Sequence, residues 1–258
     1  MDHQIRKGIH CSGIGKTEIV FNVSKEISKM GQSVCVIDSY FNINNLSLKF
    51  EKGDSVDLCG YLSGRLSMSA VLNKYSRNLY FIKTNAVNFD YYAVLKIIRY
   101  FINEIKEKFD YIVIDLNNFD RRIYEGLITV ISEAYIISDD DEVSIKNLYK
   151  ILNGLKLIKS VLSVKVILNK LRVIKSLKGK CFKEKEIEEI LKCDIFFSIP
   201  KVYKNKSKVF LKNENILNKY YKLLSYNIIT NKNIKFDIYK NYKGLFGCFR
   251  KLRYFKYE

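Results

Sequence analysis

Between residues 33 and 200 short apolar bursts alternate with stretches whose apolar positions recur every three or four residues. The bursts SVCVID (33–38), NLYFIK (78–83), DYIVID (110–115), AYIIS (134–138), VKVILN (164–169) and DIFFSIP (194–200) have the length and β-branched content of buried strands. The segments 16–30, 91–109, 142–158 and 183–192 have helical spacing. Gly31 stands where the first helix should stop. Strand and helix alternating in this way predict parallel strands joined by crossover helices. The expected fold is therefore α/β, a doubly wound, mostly parallel sheet with helices on both faces. A further strand is required at QIRKGIH (4–10), although Ile5 and Ile9 are its only apolar anchors, few for a central strand. The pattern weakens towards the C-terminus. Residues 227–243 are polar and basic and read as a tether, dividing the chain into a domain at 1–226 and an appendage at 227–258.

Charge sharpens that division. The 258 residues carry a net +18, but residues 201–258 hold 15 Lys and Arg against 3 Asp and Glu, so +12 lies in the last quarter. Such asymmetry points to an anionic partner for the tail, a membrane surface or nucleic acid, or else to a solvated basic face. A hydrophobic content of 48% argues against a disordered chain. The six cysteines have no close pairing of the zinc or redox kind, and only two histidines accompany them. With no secretory signal at the start and no apolar run of bilayer length, a reduced cytosol is the expected location.

The chemistry is concentrated between the first strand and the first helix. Gly13, Ile14, Gly15, Lys16 and Thr17 form the second half of a phosphate-binding loop. Small residues let backbone N–H groups face the phosphates, a lysine reaches the β and γ phosphates, and a hydroxyl holds Mg²⁺. The helix beginning near Lys16 adds its N-terminal dipole. The glycine that usually opens such a loop is replaced by His10.

The run GIGKTEIVFNVSKEISKMGQSVCVIDSYFNINNLSL (13–48) resembles the MinD/ParA class of deviant Walker-A P-loop ATPases, especially its MinD and FlhG branches. FDYIVID (109–115) is similar to that class's second switch strand. VILNKL (166–171) is similar to the strand ending in an adenine-contacting asparagine, and FFSIPKVYKN (196–205) to its closing Ile-Pro segment. The resemblance spans about residues 8–225 and implies ATP and Mg²⁺ as ligands. It assigns Ser12, Gly13, Ile14, Gly15, Lys16, Thr17, Glu18, Asn169 and Pro200 to the nucleotide. Lys16, Asp38 and Asp115 take catalytic places, with Thr17, Asp38 and Asp115 around the metal. Strand-end capping is the alternative role for Asp38 and Asp115, and a turn for Asn169.

The departures from that class bear on activity. Its signature lysine is replaced here by Cys11, and the next glycine by Ser12. A second small hydroxyl residue is Glu18, the water-orienting carboxylate is Tyr40, and the second switch reads Asn117, Asn118, Phe119. Phosphoryl transfer depends on positioning and charge stabilisation. The resemblance therefore implies nucleotide binding with weak or absent hydrolysis.

In the tail, NYKGLFGCFRKLRYFK (241–256) places Tyr242, Leu245, Phe246, Phe249 and Leu252 on one helical face, with Lys243, Arg250 and Lys251 opposite. A basic amphipathic helix of this kind suits an anionic membrane surface, and it resembles the class's C-terminal targeting helix. Packing back on the chain's own domain is the alternative. The resulting expectation is a peripheral protein on the inner face of the cell membrane, dimerising with itself or a paralogue and acting in division or flagellar placement. A partition protein holding nucleic acid through its basic region, and a scaffold that no longer uses nucleotide, are the competing readings. The aromatic stripe argues against the first of these.

Overall fold

A computed structural model describes residues 6–11, 15–39, 45–50, 58–83, 91–116, 126–127, 130–156, 162–202 and 210–243. Eight strands form one sheet: β1 (Arg6–Cys11), β2 (Val34–Asp38), β3 (Asn73–Ser76), β4 (Leu79–Lys83), β5 (Tyr111–Leu116), β6 (Glu133–Ser138), β7 (Ser163–Leu171) and β8 (Ile195–Pro200). Their spatial order is β3-β4-β2-β5-β1-β6-β7-β8. Every pairing is parallel except β3 with β4 at one edge.

The expected doubly wound sheet is therefore present, and the weakly apolar β1 occupies its middle. It is hydrogen-bonded to β5 on one side and β6 on the other, with Ile9 opposite both Asp115 and Tyr135. That ladder seats β1 between two strands buried along nearly their whole length.

Successive strand residues supply opposite faces, as a period of two requires. Val34, Val36, Tyr111, Val113, Tyr135 and Ile137 enter one core, with Ile19, Val20, Val23 and Ile27 of helix α1 (Lys16–Lys29). Their neighbours Cys35, Ile37, Ile112 and Ile114 enter another, against Ile98, Phe101, Ile102 and Ile105 of α5 (Tyr91–Ile105). A third core lies under α6 (Glu142–Lys156) and α8 (Glu184–Leu191). Short helices α2 (Asn45–Phe50), α3 (Leu58–Leu62), α4 (Met68–Val71) and α7 (Val173–Leu177) complete the set up to residue 202. Gly31 has φ of 91° just past α1, the left-handed stop expected of it.

The sequence reading departs from the structure at the C-terminal end. Helix α9 (Phe210–Thr230) runs straight through the boundary expected at 226/227. Its buried positions Tyr221, Leu224, Ser225, Asn227 and Ile228 lie against the first core, and the Ser225 hydroxyl donates to the Val23 carbonyl at 3.2 Å. The stretch after α9 is strapped down rather than loose. Asn227 exchanges two hydrogen bonds with the Ile234 backbone (2.7 and 3.3 Å), and Lys235 reaches Glu184 at 2.9 Å and Glu188 at 3.5 Å. Ile238 packs on the third core. Ser225 and Asn227 are polar residues on a buried face, which is why hydrophobic patterning ends the domain too early. No helix among the described residues is long and apolar enough to cross a membrane.

Candidate functional site: a phosphate-binding helix start

The C-terminal ends of β2 and β5 and the N-terminus of α1 meet at one place. Gly15 is the N-cap of α1, with φ 82° and ψ 19° in the left-handed region. It offers no side chain to cap the first N–H groups of the helix, and those groups and the helix dipole favour an anion there. A Cβ at this position would stand 2.6 Å from the Asn169 Nδ2 atom, so glycine is required twice, for its dihedrals and for this close approach.

Lys16 is 3% exposed. Its ammonium donates to the Leu116 carbonyl at the end of β5 and lies 3.6 Å from Asp115 Oδ1. The Thr17 hydroxyl donates to the other oxygen of the same carboxylate at 3.1 Å. Asp38 is buried and pairs in register with Asp115 across β2 and β5. Ser39 fixes the chain just beyond Asp38, its hydroxyl and N–H both donating to the Asp115 carbonyl (2.5 and 3.1 Å). Burial pushes Asp115 from an ordinary carboxylate value up to about 7; Lys16 opposes the shift, while the Asp38 charge adds to it. Asp115 Oδ1 is a buried oxygen that accepts no hydrogen bond among the described residues.

Asn169 is buried near the end of β7, against Gly15. Lys170 follows with φ of 57°, and its ammonium approaches the same glycine. The bend is secured by Asp140, just past β6. Its buried carboxylate accepts from the Arg172 N–H and from Arg172 Nε, both at 2.7 Å. Pro200 ends β8 opposite Leu171, on the same edge of the sheet.

Of the residues expected at a site, Gly15, Lys16, Thr17, Asp38, Asp115 and Asn169 are thus gathered along one edge. Glu18 turns away: Lys49 and Asn22 hold its carboxylate at 2.6 and 2.8 Å. Ser12, Gly13 and Ile14 lie outside the described residues, as do Tyr40, Asn117, Asn118 and Phe119 and the tail residues Leu245, Phe246, Phe249, Arg250, Lys251 and Leu252. Lys170, Ser39 and the Asp140–Arg172 fork were not anticipated. The Asp139–Asp141 charge run was visible in the sequence, but nothing local marks Lys170 as left-handed.

Gly15→Ala should lower stability by about 1–2 kcal/mol, the cost of a left-handed non-glycine residue, besides displacing Asn169. Urea unfolding measures this; an unchanged midpoint would mean that the loop relaxes freely.

A parallel sheet with a lysine-bearing, glycine-capped helix start beside two strand-end aspartates is the arrangement of a P-loop fold. No family model matches the chain. Over 165 residues it is 24% identical to the septum site-determining protein MinD of Bacillus subtilis, a match covering 62% of either protein. The matched stretch is thus less than two thirds of that relative. Its fold is similar to MinD in the MinC:MinD cell division complex of Aquifex aeolicus (TM-score 0.71, 18% identity, 90% of this chain and 98% of that one). It is also similar to MinD complexed with Mg-ADP from Pyrococcus horikoshii (TM-score 0.65, 20% identity, 89% and 100%). The chain thus has the fold of the MinD/ParA-type P-loop ATPases and resembles MinD in sequence.

Proposed function

We propose that this protein binds ATP with Mg²⁺ and acts as a MinD-like spatial regulator, placing division or flagellar machinery from a membrane surface while hydrolysing nucleotide slowly or not at all. The observation that carries the nucleotide half is the buried Lys16–Asp115–Thr17 cluster at the uncapped start of α1. On this reading Lys16 would supply a cation and Thr17 a hydroxyl to the triphosphate, beside the positive end of the helix.

The donor set fits Mg²⁺. Among the described residues, Asp115 Oδ1 is buried and accepts no hydrogen bond, with the Lys16 ammonium at 3.6 Å and the Thr17 hydroxyl and buried Asp38 close by. No group of three or more His, Cys, Asp or Glu residues able to hold a metal occurs among the described residues. An ion bound with the phosphates would be held by Thr17 and by Asp38 and Asp115, and would neutralise their charge. Lys16 would leave the Leu116 carbonyl for phosphate oxygens. Asn169 would offer its amide to the adenine, as the resemblance implies. Cys11, Tyr40 and Asn117 replace the groups on which hydrolysis depends in this family, so product formation should trail binding.

Titration calorimetry with Mg·ATP tests the first half, and absence of binding would refute it. The membrane half rests on the sequence of residues 241–258. Full-length protein should float with vesicles containing anionic lipid, and protein lacking residues 244–258 should lose most of that flotation, because each basic residue near such a surface contributes about 1 kcal/mol. Flotation unaffected by the truncation would refute the anchor. Salt-sensitive DNA retention in its place would make nucleic acid the partner.

A further inference from the structure

Glu18 is a carboxylate one residue beyond Lys16 and Thr17, at the mouth of a site suited to anions. It is the third residue of α1, within the first turn, where the helix dipole favours an anion. Its negative charge therefore sits where a phosphate is to be received. A nearby unit charge in partly screened surroundings changes anion affinity about 3- to 10-fold.

Three contacts deal with that charge. Asn22, one turn further along α1, donates to the Glu18 carboxylate at 2.8 Å and draws it away from the helix start. Lys49 of α2 reaches its other oxygen at 2.6 Å. Lys170 adds a more distant positive charge. Partial burial would raise the Glu18 carboxyl, but the hydrogen bonds from Lys49 and Asn22 outweigh it and hold the group below its ordinary value.

Lys49 is not placed by this ion pair alone. Its neighbour Phe50 is buried among Phe21 of α1, Tyr75 and Phe81, with ring centroids 4.9, 5.2 and 5.3 Å away. The Lys49 ammonium lies 5.6 Å from the centre of the Phe21 ring. The aromatic cluster thus fixes α2 on α1 and presents Lys49 to Glu18. The pair itself is half exposed and contributes little to stability, so its effect should show in ligand binding.

We infer that Lys49 is a positioning residue for anion binding, holding the Glu18 carboxylate off the phosphate site and cancelling its charge. The inference rests on the nucleotide-binding reading above. Calorimetry with Mg-ATPγS and with pyrophosphate, on wild type, Lys49→Ala, Lys49→Arg, Lys49→Glu, Glu18→Thr and the double variant Glu18→Thr/Lys49→Ala, tests it. Lys49→Ala should weaken binding about 3- to 5-fold and Lys49→Glu about 10-fold, while Lys49→Arg restores it and melting temperatures stay unchanged. In the Glu18→Thr background the Lys49→Ala loss should vanish. Wild-type binding insensitive to Lys49, or an equal loss with and without Glu18, overturns this inference and leaves the nucleotide reading standing. Binding by Glu18→Thr but not by wild type overturns it as well, because Lys49 would then fail to neutralise Glu18. Binding of neither anion by any variant overturns the nucleotide reading and the inference together.

Discussion

Lys16→Ala should weaken Mg·ATP binding by about 100-fold or more while leaving the protein folded. The ammonium is almost wholly buried against β5, where it meets the Leu116 carbonyl and Asp115. A charge in such surroundings acts on a phosphate through little water, where each charge-assisted hydrogen bond is stronger than at the surface. Losing about 3 kcal/mol of binding corresponds to the stated factor. The fold should survive because Asp115, already pushed up to about 7, can take a proton once its cation is gone. Calorimetry of the two proteins under identical salt measures the ratio, with far-ultraviolet circular dichroism confirming structure. Equal affinities would place any bound nucleotide elsewhere and remove the basis for a P-loop site.

The sheet was legible because its strands are buried on both faces. VCVID, YIVIDL and EAYIIS are nearly continuous apolar runs, and a buried parallel strand has little other way to be written. Helix α1 was legible from its stripe Ile19, Val20, Val23 and Ile27 and its glycine stop. β1 could be inferred only from the loop that follows it, since its own pattern is weak. β3 was not legible: NKYS is a polar edge strand exposed at every second residue, and only its antiparallel pairing with β4 reveals it. Helix α9 was hidden by Ser225 and Asn227, polar residues buried through hydrogen bonds to Val23 and Ile234 that no local pattern reports. In the site, Lys16, Thr17, Asp38 and Asp115 could be named from spacing and resemblance. The partners that hold the site in shape, the Lys49–Glu18 pair and the Asp140–Arg172 fork, join residues 31 and 32 positions apart. Such pairings follow from the sheet order and become visible only once the chain is folded.

Asp115 gives the second large effect, with a sign opposite to that of most buried-residue substitutions. Its folded-state value of about 7 exceeds the ordinary 3.8, so the folded protein binds a proton more tightly than the unfolded chain. Stability from this group is fully present below about pH 4 and is lost as pH rises through 7. At about 1.4 kcal/mol per unit the full loss is on the order of 4 kcal/mol. Asp115→Asn keeps the shape and a neutral polar group but removes the titration. The variant should therefore lose its share of the downward slope between pH 4 and 8. At pH 8 it should be more stable than wild type by about 1–3 kcal/mol, the remainder being offset by the partner that Lys16 loses. On the nucleotide-binding reading proposed above, the gain should come at the expense of Mg²⁺-assisted binding, for which Asp115 would supply a carboxylate. Mg²⁺ should accordingly cease to strengthen ATP binding in the variant. Urea unfolding of both proteins at pH 5 and pH 8, read beside ATP titrations with and without Mg²⁺, separates the two consequences. A variant whose stability falls with pH as steeply as wild type would show that Asp115 is not held in its proton-binding state by the fold. The buried strand-end carboxylate would then be ionised across this pH range as an ordinary partner of Lys16.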